Sequence, residues 1–339
     1  MKKIFLAVAL TSLLIGCASK PGVPDSSLTA NKPQTAEEFF EQGYANVDKG
    51  DFTQAVEDYS EAIRLKPEYP AAYNNRGIAY AGKGDYDKAV EDYSRAIELD
   101  SSDPSTYYNR GIAYAGKEDY DKAIADYTQA IRLKQDYSEA YNNRGIAYSS
   151  KGYTNKSSAD FDRAIADHTE AIKLQPDSAS AYINRGFAYR NKGDVDKAIA
   201  DYNEAIRLEP NNAVAYSNRG VAYSTKGDID KALADYAEAI RLEPDYSAAY
   251  NNRSVAHRNK GEADQATEDN AEAIRLDPNN AAAYNNRGVA YNRNQDYENA
   301  IADYETALKI EPNNAIAKDN LGLAQKLQQD QQTQEEQAD

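Results

Sequence analysis

The chain has no tryptophan, one methionine, one cysteine and two histidines among 339 residues. Each scarcity removes a class of function. One cysteine, Cys17, cannot close an internal disulfide, and no CxxC or Cys/His cluster is present to hold zinc. Neither a metal nor a cofactor is expected. No glycine-rich phosphate loop follows a strand, and no strand pattern is visible. With so few nucleophiles and bases, a catalytic shell cannot be assembled on paper, and no enzyme is expected. Basic side chains are outnumbered, 39 against 55, for a net charge of -16. That argues against nucleic acid, which wants a basic stripe. It also argues against a purely electrostatic hold on anionic lipid. No small-molecule substrate is indicated.

What is abundant is tyrosine, 28 residues, as if one slot were filled again and again. The string Tyr-Asn-Asn-Arg-Gly starts at Tyr73, Tyr141 and Tyr284, with variants at Tyr107, Tyr182, Tyr216 and Tyr250. The step is 34 residues except for one of 41, from 141 to 182. Eight copies therefore begin at 36, 70, 104, 138, 179, 213, 247 and 281. Position 8 of the unit is Gly in seven copies and Ser254 in the other; positions 20 and 27 are Ala throughout. Tyr at positions 4 and 11 shares a helical face with the small residue at 8. Small residues at 8, 20 and 27 let two backbones approach. Position 15 is often Gly, which stops a first helix, and Asp at 16 can cap a second. Each unit reads as a helix hairpin that cannot bury its apolar face alone, so neighbours must stack. His168 and His257 fall in tyrosine slots, positions 24 and 11, and read as packing substitutes.

A 34-residue period with Gly, Tyr and Ala at these offsets, and Pro at position 32 in six copies (67, 176, 210, 244, 278 and 312), resembles the tetratricopeptide repeat, over 36 to about 327. The resemblance implies an all-α solenoid of tandem helix-turn-helix units wound as a right-handed superhelix, with eight repeats over 36–314. Residues 315–327 read as a capping helix and 328–339 as a disordered acidic, Gln-rich tail. The fourth copy carries seven extra residues near 153–159, whose Ser and Asn content favours a longer loop over longer helices. The seventh copy has Ser254, His257, Ala263 and Asn270 where the others are bulkier or glycine, which predicts a weaker seam.

In this family the first helix of each hairpin lines a groove, and position 6 tends to face it. Position 6 is Asn75, Asn109, Asn143, Asn184, Asn218, Asn252 and Asn286, with Asn320 in the cap and Glu41 in the first copy. Such a row resembles the asparagine ladders of solenoids that grip an extended peptide backbone, since an amide both donates and accepts; Asn is also common there whatever is bound. Positions 12 and 13 are small early and carry Arg190, Arg258 and Arg293 late, which suits an acidic segment or a free carboxylate. Ile78, Ile112 and Ile146 at position 9 offer an apolar stripe in the early half. Position 7 is Arg in seven copies and position 23 is Asp in all eight. An unpaired Arg is costly to bury, so a ladder of Arg–Asp pairs is expected, either within a repeat or from each Asp to the next Arg.

The N-terminus reads as an address. Lys2 and Lys3 precede a short apolar run, 4–15, that ends Leu14-Ile15-Gly16-Cys17. This resembles the bacterial lipobox, which implies a signal peptide over 1–17 and a diacylglycerol on Cys17. Residues 18–35 then form a Pro/Ser-rich tether with a reach on the order of 25 Å. Ala at 18 implies, by enterobacterial sorting, the outer membrane facing the periplasm. The combined expectation is a lipid-anchored, non-catalytic scaffold in the bacterial envelope, holding an extended peptide or protein partner. The rivals are a self-assembling structural envelope protein and, more remotely, a glycan binder or enzyme. Partner identity and oligomeric state are not legible.

Overall fold

A computed structural model describes residues 34–338, with side chains described to residue 334. The signal peptide, Cys17 and most of the 18–35 tether lie outside the described residues. Those described form 17 α-helices and no strand, and none of the helices is long and apolar enough to cross a membrane. The described residues divide into two compact units, up to 177 and from 178 on.

The first unit holds four hairpins: α1 (Ala36–Asp48) with α2 (Phe52–Leu65), α3 (Pro70–Gly82) with α4 (Tyr86–Leu99), α5 (Pro104–Gly116) with α6 (Tyr120–Leu133), and α7 (Ser138–Asn155) with α8 (Ser158–Leu174). The second holds α9 (Ala179–Lys192) with α10 (Val195–Leu208), α11 (Ala213–Lys226) with α12 (Ile229–Leu242), α13 (Ser247–Lys260) with α14 (Ala263–Leu276), α15 (Ala281–Arg293) with α16 (Tyr297–Ile310), and finally α17 (Ala315–Ala338).

The tyrosine slot explains the glycine. The position-24 rings Tyr59, Tyr93, Tyr127, Tyr202, Tyr236 and Tyr304 are fully buried. Each presses on the position-8 Gly of its own hairpin so closely that a Cβ there would stand 2.6–2.8 Å from the ring. In the fourth hairpin His168 takes the ring's place against Gly145, its Nδ1 3.0 Å from Asn142 Oδ1. That is the packing substitution its position suggested. The Ala at positions 20 and 27 is essentially inaccessible in every hairpin. The seventh hairpin departs by a matched exchange: Ser254 donates to Asn270 Oδ1 at 2.8 Å, and Asn270 donates to the Ala266 carbonyl, also at 2.8 Å. The two side chains are buried and joined by a hydrogen bond.

Two local expectations need correction. The seven extra residues of the fourth copy are not a long loop. α7 has 18 residues and α8 has 17, where other hairpin helices have 13 or 14. About one added turn on each helix keeps the faces in phase. The turn between them is tight: Lys156 adopts φ 53° and Ser157 caps α8 through the Asp160 N–H. The tail is not irregular either. α17 continues past 327 to Ala338, as a run of Gln and Glu, which are good helix formers, allows.

Seven hairpins carry the expected ion pair, and it runs within the repeat: Arg76–Asp92, Arg110–Asp126, Arg144–Asp167, Arg185–Asp201, Arg219–Asp235, Arg253–Asp269 and Arg287–Asp303. Each is bidentate, as in Arg110, whose Nε and Nη2 donate to Asp126 at 2.7 and 2.8 Å. The third guanidinium nitrogen ties the pair to the preceding hairpin. Arg76 Nη1 reaches Ser60, Arg110 reaches Ser94, Arg144 reaches Thr128 and Arg219 reaches Asn203, at 2.7–3.1 Å. One arginine thus links three helices. Asp58, whose repeat has Gln42 instead of Arg, accepts from Asn46 and Gln54.

Candidate peptide-binding face

Within each unit the first helices of successive hairpins lie side by side, and the asparagines of position 6 run across them. Four of its amides are spent inside the protein by one rule: position 6 donates to position 5 of the preceding hairpin. Asn109 donates to Asn74 Oδ1 at 3.1 Å and Asn143 to the Tyr108 hydroxyl at 2.9 Å. Asn286 donates to Asn251 Oδ1 at 3.0 Å and Asn320 to Asn285 Oδ1 at 2.9 Å. Asn75, Asn109, Asn143 and Asn184 are buried.

The rule fails where position 5 is apolar or short. Asn75 follows Phe40, and its Nδ2 is buried without a partner among the described residues. Asn218 follows Ile183. Asn252 follows Ser217, whose short side chain makes no hydrogen bond with it among the described residues. Asn218 and Asn252 are only half-buried, and neither makes a hydrogen bond among the described residues. Periodicity alone could not separate these amides from the structural ones; the residue at position 5 does.

The three arginines of positions 12 and 13, Arg190, Arg258 and Arg293, all lie in the second unit. Arg258 is half-buried, and no carboxylate pairs with it among the described residues. Its Nη1 reaches Asn286 Oδ1 at 3.3 Å. Burial lowers its proton affinity, and the neighbouring Arg293 charge lowers it further. Arg293 is exposed and donates to the Arg258 carbonyl at 2.6 Å. Beside it, Asn292 Oδ1 is buried with no donor among the described residues. Arg190 lies 5.1 Å from the Phe187 ring centroid and likewise has no carboxylate partner described. The second unit thus gathers unspent amides at Asn218 and Asn252, an orphan acceptor at Asn292 and cations at Arg190, Arg258 and Arg293. This combination can donate to carbonyls and carboxylates and accept from a backbone N–H. In the first unit Ile78 and Ile112 are buried at 4% and 5% exposure and Ile146 is half-buried, so packing closes the apolar stripe anticipated there at two of its three positions.

Models of the tetratricopeptide repeat match residues 40–104, 104–137, 138–166, 169–200, 188–227, 213–246, 247–280 and 281–314. The chain is a tetratricopeptide-repeat protein. Solved structures agree on the fold. A tetratricopeptide repeat protein from Parabacteroides merdae is 22% identical with a TM-score of 0.62, covering 75% of this chain and 98% of that one. Yeast Tom70 is 20% identical with a TM-score of 0.61, covering 96% and 70%. The Cut9–Hcn1 hetero-tetramer of the APC/C gives 17% identity and a TM-score of 0.61. The match covers 85% of this chain but spans only 55% of that one. No curated protein matches the sequence. Tetratricopeptide repeats are protein-interaction modules, so the family supports a scaffold built to bind protein or peptide.

Proposed function

We propose that the protein is a non-catalytic scaffold, lipid-anchored through Cys17 in the bacterial envelope, whose second unit holds an extended, carboxylate-bearing segment of a partner protein on its first-helix face. The observation that carries the reading is Arg258, a half-buried guanidinium with no carboxylate among the described residues. A cation kept partly out of water without a counter-charge is costly unless a ligand supplies one. Asn218 and Asn252 then hold the segment's backbone without reading its side chains.

Capture from an envelope extract by the full chain tests the site. The double variant Asn218→Ala/Asn252→Ala is expected to lose at least about ten-fold in retained partner, as two lost hydrogen bonds imply. Asn109→Ala/Asn143→Ala, which removes only internal bonds, is expected to lower stability and leave capture intact on the folded fraction. Equal capture by all three proteins would move the site elsewhere.

The lipobox supplies the address, and Ala at 18 points to the outer membrane facing the periplasm. Cells fed labelled palmitate are expected to label the wild-type protein and not Cys17→Ser. A Cys17→Ser protein that labels equally contradicts the anchor.

A further inference from the structure

The last helix keeps a slot for which the described residues supply no ring. In α17, Ala317, Gly322 and Ala324 stand where Ala283, Gly288 and Ala290 stand in α15. At every earlier position-8 glycine an aromatic or imidazole ring presses on the backbone, but at Gly322 nothing lies within 4 Å of a built Cβ. The helix is held from its other side, by Ala317 against Ala281 and Ala307 and by Ala324 against Ala300 and Tyr304. Its outer side carries Ile316 and Leu323, 66% and 50% exposed. Asp319, Lys326 and Asp330, all exposed, continue the stripe at three- and four-residue spacing.

We propose that this stripe docks a second copy of the chain, α17 on α17, in an antiparallel two-fold crossing centred between Gly322 and Leu323. Three features select a second copy. Asp319 and Lys326 lie symmetrically about that centre, so the two-fold axis sets each aspartate opposite the other copy's lysine, twice. The same axis sets each Leu323 over the opposing Gly322, where the missing Cβ leaves room for a side chain. Finally, the chain carries a net charge of -16 and repels itself in most orientations. Around the crossing, over residues 315–334, Lys318 and Lys326 balance Asp319 and Asp330, and Glu335 and Glu336 stand at the far end of the helix, so two copies can meet at its centre without that repulsion. One helix crossing is a small contact, and the association is correspondingly weak.

Sedimentation equilibrium of the full chain over a concentration series tests this at low salt, with far-UV circular dichroism confirming that each variant is folded. Wild type is expected to rise toward about twice the monomer mass. Lys326→Asp, which sets two like charges together at both contacts, is expected to stay monomeric. Adding Asp319→Lys to it restores opposite charges and is expected to restore the rise. Leu323→Gln, which leaves every charge in place, is expected to weaken it. Residues 1–33 are the same in all four proteins, so association through that segment would survive every variant. A wild type that stays monomeric throughout, a rise unchanged in Lys326→Asp, or a rise not regained in the double variant overturns the proposal.

Discussion

Asp126→Ala is expected to destabilise the first unit by about 3 kcal/mol, the low end of what breaking a buried pair costs. The pair is not fully dry: the Arg110 and Asp126 side chains are 19% and 9% exposed. Removing the carboxylate leaves Arg110 with its Ser94 contact at 3.1 Å and no counter-charge. The pairing, led by the hydrogen bonds Arg110 donates to Asp126, now holds the Arg110 guanidinium above its ordinary proton affinity. The informative comparison is Arg110→Leu/Asp126→Leu. An apolar pair of similar volume is expected to recover most of the loss, because the position is well packed and a paired charge offers little over burial. Chemical denaturation of the three proteins checks both statements. A loss under 1 kcal/mol for Asp126→Ala would show the pair to be a surface interaction.

The second large effect is a sign difference between two glycines in equivalent positions. Gly220→Ala is expected to cost about 2 kcal/mol, because its Cβ would stand 2.7 Å from Tyr236 Cε1, a ring 2% exposed with nowhere to move. Gly322→Ala is expected to gain about 1 kcal/mol, since the added methyl meets nothing within 4 Å and improves helix propensity. The seventh hairpin tests the same rule in reverse. Asn270→Tyr alone would drive a ring onto Ser254, whereas Asn270→Tyr/Ser254→Gly rebuilds the pair used by its neighbours. The single change is expected to destabilise and the double to be at least as stable as wild type. Thermal unfolding measures all four, and equal shifts for Gly220→Ala and Gly322→Ala would contradict the packing account.

These pairs also show where the sequence was sufficient. Gly at position 8, Tyr at 24 and Ala at 20 and 27 recur at fixed spacing, and spacing alone implies a hairpin that packs small against large. The partner of each Arg was not legible. Asp lies 16 residues after Arg76 in its own repeat, at Asp92, and 18 before it in the preceding one, at Asp58. Both are geometrically open on a hairpin stack, and only the structure shows the first in use. The fourth copy misled because Ser and Asn suggest a loop by composition. Insertion of about a turn in each helix conserves the buried face, and that constraint outweighs composition. The asparagine row misled differently. Its period is uniform, yet Asn109, Asn143 and Asn286 donate inward while Asn218 and Asn252 do not, because the acceptor is set one position away, at Asn74, Tyr108 and Asn251 against the apolar Ile183 and the short Ser217.

The measurement that bears most directly on the proposed site is in-cell photocrosslinking from two positions of the sixth hairpin. A photoreactive residue at Ser224, on the same first helix as Asn218, is predicted to give a discrete adduct with a partner protein. One at Ala234, exposed on the second helix α12, is predicted to give none, and the Ser224 adduct is predicted to disappear in the Arg258→Ala background. An adduct from Ala234 and none from Ser224 would contradict the account and place binding on the second-helix side.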